Sequence, residues 1–139
     1  MLWRITMLDY PVKILMALAM TFDEEGEPFH RWLLENGYPE LAALSDAIKG
    51  SDNATEWLMK NKYYHLVAFD AAIDNKAEAR KWLERYNYPI LILLADAINH
   101  KESSIKYLID NKLDIYVVLS QKIRKALTKD SFNPYKINF

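Results

Sequence analysis

A spacing of 25 residues constrains this 139-residue chain more than any other feature. Trp32, Trp57, Trp82 and Tyr107 form one column at that interval, beside Leu33, Leu58, Leu83 and Leu108. Tyr38, Tyr63, Tyr88 and Leu113 come next, then Leu41, Leu66, Leu91 and Tyr116. Leu44, Phe69, Leu94 and Leu119 follow, and Ile48, Ile73, Ile98 and Ile123 close the unit. Columns that stay apolar through four copies are the signature of a repeat architecture. The copies fall at residues 29–53, 54–78, 79–103 and 104–128. A degenerate copy occupies 1–28, where Tyr10-Pro11 matches Tyr38-Pro39 and Tyr88-Pro89. The first two of those pairs are 28 residues apart, and the acidic stretch at 23–27 takes up the difference as a loop insertion. Residues 129–139 are a tail, and 1–139 reads as a single domain.

Each unit reads as two short helices. In the first copy, residues 29–37 form a helix that stops at Asn36-Gly37, a pair suited to a left-handed C-terminal position. Pro39 then suits the first turn of the second helix, where its missing N–H costs nothing. Gly50 ends that helix, and Ser51, Asp52 and Asn53 offer N-caps for the next. The first helix has one apolar stripe, with Glu35, Lys60, Arg85 and Asp110 sharing a charged column. The second, as in residues 89–98, is apolar nearly all round and must be enclosed. Helices this short do not stand alone in water, so each hairpin must bury the face its neighbour leaves open. The expected fold is all-α, a right-handed stack of about five two-helix hairpins. At about 10 Å per hairpin this α-solenoid would be a rod of roughly 50 Å. The Trp-Leu pairs are the expected contacts between hairpins. The tail, with Phe132, Tyr135, Ile137 and Phe139, is expected to fold back onto the last hairpin, a partner-docking arm being the alternative.

Residues 78–98, EARKWLERYNYPILILLADAI, resemble the helical part of ankyrin-type repeats, over residues 29–128. The unit is shorter than the ankyrin period of about 33 residues and lacks its T-P-L-H opening. The resemblance implies an ankyrin-like or otherwise short α-solenoid, and partner binding as the function that goes with such a fold.

The residues hold no coherent set of nucleophile, base and oxyanion donors, so a non-catalytic module is expected, with no cofactor and no metal. There is no Cys, which removes disulfides and thiolate chemistry and is compatible with a reducing compartment. His30, His65 and His100 are isolated, and their even 35-residue spacing is out of phase with the repeat. Asp46 and Asp96 share a column that Ala71 breaks. Two repeats apart, they would be roughly 20 Å from each other, too far for an acid–base pair. Each is expected to accept a hydrogen bond from a backbone N–H or an indole. Tyr38, Tyr63 and Tyr88 fall at inter-helix turns, as wedges holding the turn or as the lining of a peptide groove.

The formal net charge is −1, unlike a dedicated nucleic-acid binder. Its distribution is uneven. Residues 1–50 carry four basic against eight acidic side chains, and residues 101–139 eight basic against four acidic. A linear stack would then have an acidic end and a basic end, able to associate head to tail. Lys122, Arg124 and Lys125 are candidate partner contacts, and the stretch to Lys129 is the place for the less favoured nucleic-acid role. The apolar start of the chain is interrupted by Arg4, Asp9 and Lys13, so neither a membrane span nor a signal peptide is expected. The functional expectation is a cytoplasmic scaffold that binds another protein or itself, with no membrane or small-molecule substrate.

Overall fold

A computed structural model describes residues 9–131. The expected first helix of the degenerate copy and the tail beyond residue 131 lie outside them. Within them the fold is all-helical. Four nine-residue helices, α2 (Glu27–Glu35), α4 (Asp52–Lys60), α6 (Ala77–Arg85) and α8 (Glu102–Asp110), alternate with five others: α1 (Val12–Met20), α3 (Pro39–Ile48), α5 (Tyr64–Ile73), α7 (Pro89–Ile98) and the longer α9 (Asp114–Ser131).

The turns are built by backbone chemistry that recurs with the sequence columns. After α2, Gly37 takes φ +87°, and the Tyr38 N–H bonds back to the Leu33 carbonyl at 2.8 Å. This is the six-to-one bond of a Schellman stop. The same bond joins Tyr63 to Leu58, Tyr88 to Leu83 and Leu113 to Leu108. Lys62, Asn87 and Lys112 hold the left-handed position there, at φ +65°, +63° and +58°. Asp9 does so before α1, at φ +52°. Asn36, Asn61 and Asn111 each donate from the side chain to a carbonyl four residues back, closing the frayed last turn. Helix α9 runs on past Lys125 and Ala126, which stand where Gly50-Ser51, Asn75-Lys76 and His100-Lys101 turn the earlier helices.

The two helix types bury themselves differently. Leu33, Leu58 and Leu83 are the sole buried residues of α2, α4 and α6; Leu108 shares that role with Ser104 in α8. The tryptophans beside them are only partly covered, Trp57 being 37% exposed. So the leucine of each Trp-Leu pair makes the core contact, and the indole lies across its rim. Helices α1, α3, α5 and α7 bury five to seven residues each. Leu15, Leu18, Leu41, Leu44, Leu66, Phe69, Leu91 and Leu94 are fully enclosed.

The arrangement differs from an open rod. The inner helices pack in the order α1, α3, α5, α7, α9, and α9 packs against α1. The five inner helices therefore form a closed ring, and each outer helix lies against the two inner helices that flank it in sequence. The expectation of ends about 50 Å apart fails because α9 packs on α1. The stack's acidic and basic ends meet inside one molecule: Lys122 Nζ sits 3.0 Å from Asp23 Oδ1. Among the described residues, the first and last inner helices, α1 and α9, face each other.

Left-handed lysines are costly where glycine is not. Replacing exposed Lys62 by glycine is expected to raise stability by about 0.5–1 kcal/mol in urea unfolding. The same change at Lys60, inside α4, is expected to lower it.

Candidate functional site

The tyrosines at the turns are half-buried and stand one residue before α3, α5 and α7. Tyr63 stacks on Trp57 and Tyr88 on Trp82, both with ring centres 5.9 Å apart and planes within 10° of parallel. Tyr38 meets Tyr10 edge-on at 5.8 Å. His65 joins the series, stacked on Tyr88 at 5.3 Å. Burial lowers its pKa below the ordinary histidine value, against an opposing pull from Glu40. Each turn tyrosine thus has an aromatic ring against it.

Glu40 was not singled out by sequence. It is buried, and the Tyr10 hydroxyl donates to its carboxylate at 2.6 Å. Burial, then that bond, pushes the Tyr10 phenol well above its ordinary pKa. The signal available was a Glu in a column otherwise filled by His65, Ile90 and Ile115.

The paired carboxylates are engaged, by partners other than those expected. Arg80 donates two bonds to Asp96, at 2.7 and 3.0 Å, and His30 Nε2 lies 2.9 Å from Asp46 Oδ2. In each case the partner is the side chain 16 residues upstream, on the preceding outer helix. Arg80 gains from the contact: its bond to Asp96 raises its pKa. The two bridges belong to separate hairpins and do not form one site. His100 is exposed at a left-handed turn.

Two of the three basic candidates make contacts within the fold. Lys122 pairs with Asp23, and Arg124 donates to the Ile98 carbonyl at 3.0 Å, closing the end of α7. Lys125 is exposed, at a shallow cavity shared with Phe22, Asp23, Glu24, Lys122 and Ala126. Among the described residues no group of three or more His, Asp or Glu is placed to hold a metal ion. No helix there is long and apolar enough to cross a membrane.

A groove opens where the bridge column is interrupted. Thr55 and Ala71 replace the His30–Asp46 and Arg80–Asp96 pairs, and a cavity of about 610 Å³ lies between α4, α5 and α6. Met59, Tyr64, Val67, Ala68, Ala71, Ala79, Trp82 and Tyr86 line it, with Glu78. The equivalent groove one repeat earlier, which keeps His30 and Asp46, measures about 340 Å³. Leu34, Pro39, Ala42, Ala43, Asn53, Ala54 and Trp57 line that one, at matching register. Met59, Tyr64 and Tyr86 remain exposed at the larger groove. Shape and chemistry suit an apolar side-chain cluster, with one carboxylate at hand for a cation.

Comparison with known proteins finds no match among family models, curated proteins or solved structures. Over the described residues the chain is an all-helical alternation of more exposed and more enclosed helices.

A double-mutant cycle on Arg80→Met and Asp96→Asn is expected to give a coupling of about 1 kcal/mol in unfolding experiments. That lies between exposed and buried ion pairs, because Asp96 is largely covered and Arg80 is not.

Proposed function

We propose that this chain is a non-catalytic, cytoplasmic helical-hairpin-repeat scaffold, its five hairpins wound in a right-handed stack, that binds another protein through the groove between α4, α5 and α6. The occupant is an apolar segment of the partner carrying a basic residue. Its aliphatic or aromatic side chains would fill the space over Ala71 and Ala79, against Trp82, and its cation would meet Glu78. The groove at Ala71 carries this proposal. It exposes Met59, Tyr64 and Tyr86 together. Aromatic and methionine side chains are enriched in protein interfaces. Glu78 contributes charge, its carboxylate being 93% exposed with Lys81 as a distant partner at 3.9 Å. The Lys122–Asp23 pairing within one molecule weakens the case for head-to-tail self-association. The same pairing, with the Arg124 bond to Ile98, weakens the case for nucleic acid.

The test uses a change the fold already tolerates elsewhere. Thr55→Arg with Ala71→Asp would install at this hairpin the bridge that Arg80 and Asp96 make at the next. Peptides selected from a phage library on the unmodified chain would be measured by fluorescence anisotropy. Binding is expected to fall at least about tenfold in the double variant and in Tyr86→Ser, equivalent to roughly 1.4 kcal/mol, with an unchanged circular dichroism spectrum. Binding indifferent to both variants, or no peptide enriched over a scrambled pool, would refute the proposal.

A further inference from the structure

At the C-terminal ends of the inner helices, four of the ring's five seams are fastened by a side chain. Lys49 Nζ donates to the Thr21 carbonyl at 2.7 Å, joining α3 to α1. Asn99 donates to Ile73 at 3.0 Å, joining α7 to α5, and Arg124 to Ile98 at 3.0 Å, joining α9 to α7. Lys122 and Asp23 tie α9 to α1. Lys49, Asn99 and Arg124 share one register position. Its fourth member is Asp74, which as a carboxylate has no proton to donate. Among the described residues, no side-chain hydrogen bond or ion pair crosses the α3/α5 seam.

Asp70 marks the same seam. It holds the register of Ser45, Ala95 and Ser120, all buried. Ser45 shows which way that register faces, since its hydroxyl lies 2.7 Å from that of Thr21, across the α1/α3 seam. At α3/α5 the position brings a half-buried carboxylate with no hydrogen bond or ion pair among the described residues.

We propose that the α3/α5 seam is the joint at which the ring loosens, fastened when Asp70 is protonated and released when it ionises. The end of α3 carries the negative pole of a helix. Two carboxylates there repel it and each other. Protonation of Asp70 removes one of the two charges from the seam. Burial, then the charge of Asp74, raises the Asp70 carboxyl to about 6. A folded pKa above the unfolded value of about 3.9 means that protonation favours the fold. This contribution is complete below about pH 4, is lost as pH rises toward about 6, and is absent above.

The remaining charges on the elements packed against α5 do not offset this. On α3, Glu40 is held by Tyr10 and Asp46 by His30, and Lys49 beyond it is on the Thr21 carbonyl. On α6 and α7, Arg80 is bound to Asp96, and Glu78, Lys81, Glu84 and Arg85 are exposed. On α4, Asp52, Glu56 and Lys60 are exposed. Asp74 is the charged group that acts on Asp70.

Hydrogen exchange of the full chain near about pH 5 and about pH 7.5, corrected for intrinsic rates, tests the joint. Amides at 49–51 and 74–76 are expected to lose about tenfold more protection at the higher pH than those at 99–101, solvent screening trimming the full effect. Asp70→Asn should remove that difference. Asp74→Asn, which installs the residue found at 99, should raise protection at the higher pH. An equal pH response at both seams, or one that survives Asp70→Asn, overturns the proposal. Should Asp70→Asn fail to fold, Asp74→Asn decides alone: no gain in protection at the higher pH refutes the joint.

Discussion

The structure depends on the mutual burial of helices too short to exist singly. A nine-residue helix in water is unstable, whatever its propensity. Here α2, α4 and α6 each give the interior one wholly buried leucine, and α8 gives Leu108 with Ser104. The inner helices accept those leucines and enclose one another through Leu41, Leu66, Leu91 and their neighbours. Fully burying one such side chain contributes about 1.5–3 kcal/mol, so the ring gains stability only as its members are added. Closure extends the same logic. An open stack leaves an apolar inner-helix face uncovered at each end, and packing α9 on α1 removes both faces together.

Polar chemistry in this molecule serves the seams. Every second hairpin carries a bridge from the outer helix to the inner one, at His30–Asp46 and Arg80–Asp96. The ends of the inner helices are closed by donors that reach across to a neighbour's free carbonyl. Departures from this scheme are where the molecule has room to do something. The Thr55–Ala71 pair leaves a groove, and the Asp74 substitution leaves a seam without its donor. Both features involve α5, so the floor of the groove and the unfastened joint belong to one helix.

Much of the local structure is legible in the sequence. The columns place the helices to within a residue or two, because each column reports a position that must be apolar or must turn. Pro39, Pro89, Gly37 and Gly50 mark helix boundaries that the structure keeps. The left-handed positions at Lys62, Asn75 and Lys112 are less visible, since those residue types permit the conformation without requiring it. Ring closure is not legible, because it follows from the angle between successive hairpins, which a hydrophobic pattern does not encode. The groove was half-legible. Ala71 stands out as the break in the Asp46–Asp96 column, but its meaning needs the upstream partners. His30 and Arg80 are also 50 residues apart, in step with the two aspartates, and that matched spacing was the signal for the bridges.

The most direct test is the distance between the two ends of the stack. The chain has no Cys, so a pair of cysteines can carry spin labels without interference. Labels at Glu24 and Lys125, which line one cavity in the closed ring, would be measured by double electron–electron resonance. A single narrow distribution below about 25 Å, label linkers included, is the result a closed ring predicts. A distance near 50 Å, the length of five hairpins stacked at about 10 Å, would contradict it.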